Sequence, residues 1–179
     1  MKTWAVVSSL VAPVAMIGGW TLAAALQPNF DSLRQTISEL AGYGARDRWV
    51  MTCGLVLLGV CHVVTAAGLA GIRPLGRLLL ALGGAAIGVV AALPVPAHGP
   101  STAHGVFAYL GFAALALWPL AGTQGASALS SVATVVLLGL LLVALLHVGG
   151  PAYVGLVERL LAGAESLCPA VFVLSTRNR

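Results

Sequence analysis

Residues 49–70 read WVMTCGLVLLGVCHVVTAAGLA, a stretch that contains no Asp, Glu, Lys or Arg. A helix needs about 20 mainly apolar residues to cross the hydrocarbon core of a bilayer, which is roughly 30 Å thick. Similar apolar stretches recur along the chain, separated by charged residues, Pro or Gly. We predict six transmembrane helices, at approximately residues 4–26, 49–70, 77–93, 103–120, 130–148 and 154–175.

The composition of the whole chain also indicates a protein embedded in the lipid bilayer. Of its 179 residues, 59% are apolar and 8% are charged, whereas soluble domains average about 45–50% and 25%. Such a chain has too little polar surface to cover itself in water, which excludes a soluble enzyme or a nucleic-acid-binding domain. No connection between spans has room for a separate soluble domain. We therefore predict one integral membrane domain, residues 1–179, as an all-α polytopic bundle embedded in the lipid bilayer.

Basic residues in short loops predict the orientation, because cytoplasmic loops carry an excess of Lys and Arg. One side holds Lys2, Arg73, Arg77, Arg177 and Arg179, and the other holds Arg34, Arg46, Arg48 and Arg159. We expect both termini to be cytoplasmic, in a multi-pass protein of the cell membrane. The acidic residues outside the spans lie on the opposite, outer side. A cleaved signal peptide is the alternative for the first span, although its apolar run exceeds the typical length of about 7–15 residues.

The first connection between spans has the pattern of a short amphipathic helix. Asp31 is placed to cap it, and Leu33, Ile37 and Leu40 follow at helical spacing. Such a helix lies in the headgroup region of a membrane. The alternative is a lid over the bundle, and in either case Ser38 and Glu39 lie on its polar faces.

Ionisable residues inside the spans are candidates for function, because a charge at the centre of a helix costs about 2.5–3.5 kcal/mol on insertion scales. Glu165 lies halfway along the last span, and Glu158 precedes it by seven residues on the same helical face. His62 lies near the middle of the second span. We predict Glu165 and His62 as an acid–base pair, with a structural hydrogen bond between helices as the alternative for each.

The densest polar segment is residues 94–105, PVPAHGPSTAHG. Its prolines end one helix, and Ser101 is placed to cap the next, with His104 in the first turn. A nucleophilic Ser101 is the alternative, although the segment lacks a GxSxG elbow. We expect His104 to act as a general acid–base and His98 and Ser101 to contact the substrate.

Three further side chains are candidates for substrate contact. Arg159 begins the last span and suits an anionic headgroup, unless it only reaches to the interface. Trp49 and Trp118 lie near span ends, where an interfacial belt is the alternative. We predict no metal and no other cofactor. The open alternative is a divalent metal or haem on loop-level histidines (His98, His104 and His147).

Several segments together resemble the DUF998 family of multi-pass membrane proteins, which is abundant in actinobacteria. They are residues 37–40 (ISEL), 47–49 (DRW) with Met51 and Gly54, Cys61-His62, Gly76-Arg77, residues 82–84, 94–96 and 98–99, Ser101, His104, Trp118-Pro119, Gly155-Leu156 and Glu158-Arg159. The resemblance covers nearly the whole chain and implies a bundle of about six helices. The family has no assigned function, so it implies no catalytic residues. On physical grounds we choose Ser38, Glu39, His104, Glu158 and Arg159 from the matching segments.

Together these features predict a membrane-embedded, metal-independent enzyme that performs acid–base chemistry on an isoprenoid or other lipid-like substrate. A terpenoid cyclase or isomerase would need only such groups. The predicted catalytic residues are Glu39, His62, His104, Glu158 and Glu165. Two alternatives stay open: a lipid hydrolase, and a non-catalytic accessory protein or small transporter, which would require a homo-oligomer.

Overall fold

A computed structural model describes residues 2–123, 127–146 and 149–177, with side chains as far as residue 175. Helices are the only regular secondary structure within these ranges. They are α1 (Thr3–Pro13), α2 (Gly19–Ala25), α3 (Ile37–Leu40), α4 (Trp49–Gly68), α5 (Pro74–Ala92), α6 (Thr102–Gly122), α7 (Ala128–Leu145) and α8 (Val154–Arg177). A π-helical turn, Val14–Gly18, follows Pro13 and joins α1 to α2 in one continuous helical segment.

Five helical segments of the described chain are long and apolar enough to cross a membrane: Thr3–Ala25, α4, α5, α6 and α7. They correspond to the first five predicted spans, which confirms a polytopic helical membrane protein. The sixth predicted span is the 24-residue helix α8. Unlike the other five, α8 carries three ionisable residues in its first half (Glu158, Arg159 and Glu165). Its crossing of the bilayer therefore stays a prediction.

Six long helices pack as a closed ring within the described part of the chain. Proceeding around it, α1 contacts α4, α4 contacts α5, α5 contacts α6, α6 contacts α7, α7 contacts α8, and α8 returns to α1. Because successive helices run in opposite directions, the connections at residues 26–48, 93–101 and 149–153 gather at the same end of the bundle. This end, which we call the loop end, holds most of the Asp, Glu, Lys and Arg side chains of the described residues.

Glycines allow a close approach of two neighbouring helices in the ring, α4 and α5. A Cβ atom added to Gly59 would lie 2.6 Å from the Gly84 carbonyl oxygen, and one added to Gly84 would lie 2.6 Å from the Gly59 oxygen. Both distances are shorter than any side chain tolerates, so the backbones touch only because side chains are absent. Gly88 follows Gly84 by four residues in a GxxxG spacing, which favours close helix approach in membranes, but it faces open space.

Helix α5 begins earlier than the sequence predicts, at Pro74 rather than residue 77. Proline suits the first helical turn, where its missing N–H has no partner to lose. Arg77 consequently lies in the first turn and reaches back to the end of α4. Its guanidinium donates hydrogen bonds to the carbonyl oxygens of Ala66 (2.8 Å) and Ala67 (3.0 Å), which have no helical partner at a C-terminus.

The helix in the first connection is shorter than its periodicity predicts. The side chain of Asp31 accepts a hydrogen bond from the Leu33 N–H (3.0 Å) and closes a turn, so Thr36 becomes the N-cap of the four-residue α3. Ile37 and Leu40 are 2% and 0% exposed within the protein core. Helix α3 therefore covers the loop end of the bundle, as the lid alternative proposes, and its placement at a membrane interface stays a prediction.

Candidate active site

Three side chains from distant parts of the chain meet under α3. The Ser38 hydroxyl oxygen lies 2.9 Å from His104 Nε2 and 3.2 Å from Glu158 Oε1. Ser38 belongs to α3, His104 to the first turn of α6, and Glu158 to the start of α8. Their meeting follows from the ring, because α6 and α8 both begin at the loop end.

The backbone holds the imidazole ring of His104 in one orientation. Its Nδ1 lies 2.7 Å from the carbonyl oxygen of Leu93. Because a carbonyl only accepts, Nδ1 carries the hydrogen, and in the neutral ring Nε2 is left as an acceptor facing Ser38. The Ser101 hydroxyl accepts a hydrogen bond from the His104 backbone N–H (3.3 Å), so Ser101 caps α6 as predicted.

The carboxyl group of Glu158 is held from both sides. Its Oε2 accepts a hydrogen bond from the backbone N–H of Ile37, and its Oε1 faces the Ser38 hydroxyl. The Ser38 hydroxyl has one hydrogen, so it donates a hydrogen bond either to His104 or to Glu158. If it donates to His104, Glu158 must be protonated in order to donate to the Ser38 oxygen. If it donates to Glu158, His104 must be an imidazolium in order to donate to the Ser38 oxygen. One proton can therefore reside at either end of the three-residue chain.

This proton-sharing chain lines an outer cavity of about 180 Å³. The wall consists of apolar and aromatic residues from α6, α7 and α8, and Tyr109 is 42% exposed at its edge. The lining residues that matter for the chemistry are Ser38, His104, Tyr109, Phe112 and Glu158. An apolar pocket with a few convergent polar groups is the usual form of a small-molecule site.

A smaller inner cavity of about 50 Å³ lies deeper in the bundle and shares Ser38, Ala108, Phe112 and Glu158 with the outer one. His62 and Glu165 line it and are 0% and 1% exposed. Within the described structure, neither ring nitrogen of His62 has a hydrogen-bond partner. Glu165 Oε1 has none either. The two predicted partners thus face one cavity without a hydrogen bond between them.

Arg159 and Glu39 lie outside both cavities. Arg159 Nη1 donates to the carbonyl oxygens of Ser32 (2.8 Å), Gln35 (2.7 Å) and Gly155 (2.9 Å), which ties the first connection to α8. Glu39 is exposed and accepts hydrogen bonds from the side chains of Gln35 and Thr36, both at 3.3 Å. Its groove is bordered by other residues of the first connection and by residues 95–97.

The remaining predicted substrate contacts are also placed away from the cavities. His98 is exposed on the loop before α6. Trp49 is 63% exposed, with the Arg48 guanidinium 3.9 Å from its ring centre. Trp118 is fully buried against Phe172, at 4.9 Å between ring centres, which is a core position rather than an interfacial one.

Two aromatic residues of the site were not selected from the sequence. Tyr109 and Phe112 line the outer cavity together with His104, Gly105 and Ala108. Ala108 and Phe112 follow His104 by four and eight residues, and Tyr109 follows Gly105 by four, so these positions share one helix face. The signal is the spacing from His104 and its neighbour Gly105, because a helix face that turns a histidine toward a cavity also turns the residues four and eight positions later toward it.

Among the described residues, no three His, Cys, Asp or Glu side chains come close enough together to hold a metal ion. His147, which the metal alternative includes, lies outside the described residues.

Comparison with known families gives one match. A family model described as "Protein of unknown function (DUF998)" matches residues 10–175. No curated protein matches the chain significantly, and no solved structure does. The matched residues include every residue that lines the two cavities.

Proposed function

Because the chain belongs to the DUF998 family, which has no assigned activity, we propose its function from the site: a membrane-embedded enzyme that performs acid–base chemistry on a hydrophobic, lipid-like substrate. The observation that carries this proposal is the chain of hydrogen-bonding contacts from His104 through Ser38 to Glu158, on the wall of an apolar cavity. Proton donors and acceptors within such reach of a pocket are the requirement for general acid–base catalysis.

The surroundings of the cavity argue for a substrate that enters from the bilayer. Its walls come from α6 and α7, which are apolar enough to cross a membrane, and from α8, which we propose as the sixth span. Between these helices the cavity is lined by Val143, Ala144 and Leu161. Such walls offer an isoprenoid or acyl chain the same solvation that the lipid tails offer.

The reaction that fits best is isomerisation or cyclisation of an alkene. Glu158 would give its proton to one alkene carbon, and the resulting carbocation would be stabilised by the faces of Tyr109 and Phe112. His104, acting through Ser38, would then remove a proton from a neighbouring carbon. The proton count balances, because the proton gained at His104 returns through the Ser38 hydroxyl to Glu158.

Isotope exchange tests this mechanism without knowledge of the substrate. The purified protein, in lipid nanodiscs, is incubated in D₂O with a fractionated isoprenoid and lipid extract, and products are analysed by mass spectrometry. We expect at least one compound to gain carbon-bound deuterium. The gain should fall by about a hundredfold or more in His104→Ala and Ser38→Ala, because a positioned acid–base typically contributes 10²–10⁴-fold.

Ser9→Ala is the matched control, since Ser9 is a fully buried hydroxyl whose hydrogen bond to the Val6 oxygen (2.8 Å) is remote from the site. It should exchange like the wild type. Absence of deuterium in every fraction would contradict the enzyme proposal and favour an accessory or transport protein.

Lipid hydrolysis is the second candidate, because Ser38 Oγ lies 2.9 Å from His104 Nε2, within reach for a nucleophile and its base. It ranks second because the Ile37 N–H beside Ser38 is bonded to Glu158 and is not free to stabilise an oxyanion. In H₂¹⁸O, hydrolysis would place ¹⁸O in a released acid, whereas isomerisation would not.

A further inference from the structure

The pair His62 and Glu165 has no task in the reaction proposed above. Both side chains are buried within the bundle and line the inner cavity, and both present polar atoms without a partner among the described residues. Buried polar groups are almost always hydrogen-bonded, because an unsatisfied group loses its hydration without compensation. Because both residues line the inner cavity, a molecule that occupies it could complete their hydrogen bonds after small shifts of the side chains.

The charge around both cavities restricts the occupant to a neutral group. None of the described residues that line either cavity is Lys or Arg. Arg159, the nearest cation along α8, lines neither cavity, and its Nη1 donates to three backbone oxygens of the first connection and α8. A phosphate or carboxylate in the inner cavity would therefore be desolvated next to Glu165 with no Lys or Arg among the lining residues, which is strongly unfavourable.

The hydrogen-bonding capacity of the pair matches an alcohol or a carbonyl compound. A protonated carboxyl group offers a donor and an acceptor, and so does a neutral imidazole. A hydroxyl group can bond to both, and a carbonyl oxygen can accept from both. The rest of the wall is apolar, from residues such as Leu55, Leu58 and Phe107, and suits the carbons that bear this group.

We propose that the inner cavity binds the neutral polar end, a hydroxyl or carbonyl group, of the lipid-like molecule whose chain occupies the outer cavity. This inference rests on the proposed function. The inner volume of about 50 Å³ suits an end group, and the outer volume of about 180 Å³ suits a segment of chain. Because Ser38 and Glu158 lie on the wall shared by both cavities, anchoring the polar end selects which carbons lie beside the proton-sharing chain.

Binding measurements with three probes of matched skeleton test the proposal. The full chain in detergent is titrated with farnesol, farnesene and farnesyl phosphate, and dissociation constants are obtained from native mass spectrometry and thermal shifts. We expect farnesol to bind about tenfold more tightly than farnesene, the effect of one or two net hydrogen bonds. Farnesyl phosphate should bind no more tightly than farnesene.

Substitutions in the inner cavity identify the side chains that form hydrogen bonds with the hydroxyl group of farnesol. Glu165→Leu and His62→Phe should each reduce farnesol binding to the farnesene level. Glu165→Gln keeps a donor and an acceptor in the same shape, so it should retain the preference, and it serves as the variant that preserves packing if Glu165→Leu fails to fold. The remote control Ser9→Ala should bind all three probes like the wild type.

Two results would overturn the proposal. Equal binding of farnesol and farnesene by the wild type would mean that the cavity holds water only. If both Glu165→Leu and His62→Phe still bind farnesol more tightly than farnesene, another group of the protein must bind the hydroxyl. Failure of the proposed function is distinguishable, because it would appear as absent deuterium exchange with the farnesol preference intact. If the proposed function is correct, the His104→Ala variant should lose deuterium exchange and keep the farnesol preference.

Discussion

Ser38 is the residue on which the site depends, because its single hydroxyl contacts both an imidazole nitrogen and a carboxylate oxygen. A hydroxyl in that position can pass a proton between His104 and Glu158 without moving. In serine hydrolases the imidazole is the central member and the hydroxyl is terminal. The reversed order here favours proton relay over nucleophilic attack.

Two glutamates of the same loop end form a matched pair for mutation. Glu158 faces the outer cavity and the Ser38 hydroxyl, whereas Glu39 is exposed and bonded to neighbouring side chains. We predict that Glu158→Gln lowers deuterium incorporation about a hundredfold or more, because the amide cannot donate a proton to carbon. Glu39→Gln should stay within about twofold of the wild type by the same assay. Equal losses in both variants would contradict the assignment of the acid to Glu158.

At the scale of helices, α4 and α5 touch through their backbones beside His62. Gly84 packs against the Gly59 carbonyl, and a Cβ added to it would also lie 2.9 Å from the His62 Cβ. The close approach of the two helices at this glycine pair therefore lies directly beside His62, which lines the inner cavity.

Gly84→Ala and Gly88→Ala compare two alanine substitutions one helical turn apart on α5. The first would place a methyl group against backbone, and the second would meet nothing within 4 Å. We predict that Gly84→Ala destabilises the protein by about 2 kcal/mol, since overpacking costs 1–3 kcal/mol. Gly88→Ala should be neutral or stabilising by up to about 1 kcal/mol. Thermal unfolding in detergent measures both, and a Gly84→Ala variant as stable as Gly88→Ala would show that the helices do not touch there.

At the scale of the whole molecule, the exposed surface is apolar around the helices. Valines and leucines that are half exposed or more occur on every long helix, among them Val14 at 70% and Val135 at 70%. Patches of this extent are avoided in water and are normal against lipid. The ring of helices therefore has its polar groups inside and at its ends.

Orientation in the membrane is open to a labelling test. His98 lies at the loop end, and Arg73 lies at the opposite end, between α4 and α5; both are exposed. In a background lacking the native cysteines Cys53, Cys61 and Cys168, we predict that a membrane-impermeant maleimide labels His98→Cys on intact cells. Arg73→Cys should react only after permeabilisation, because the basic side is predicted to be cytoplasmic. The opposite pattern would reverse the orientation and move the site to the cytoplasmic side.

Some of the site was readable from the sequence because it depends on helical periodicity. The seven-residue spacing of Glu158 and Glu165 predicts a common face, and both residues line the inner cavity. Ser101 was predicted as a cap on local grounds, and it is one. By contrast, the partner of His104 is a serine 66 positions away, and no local pattern connects α3 to α6.

The chain alone determined that this is a helical membrane protein, because runs of apolar residues long enough to span a bilayer have only one stable backbone conformation in lipid. It also determined which faces of the helices carry ionisable groups. Only the tertiary structure decided that Ser38, His104 and Glu158 meet, that Glu39 and Arg159 do not join them, and that His62 and Glu165 face one cavity. The reason is that the order of helices around the ring, and the fold of the first connection across its end, depend on packing between residues far apart in the chain.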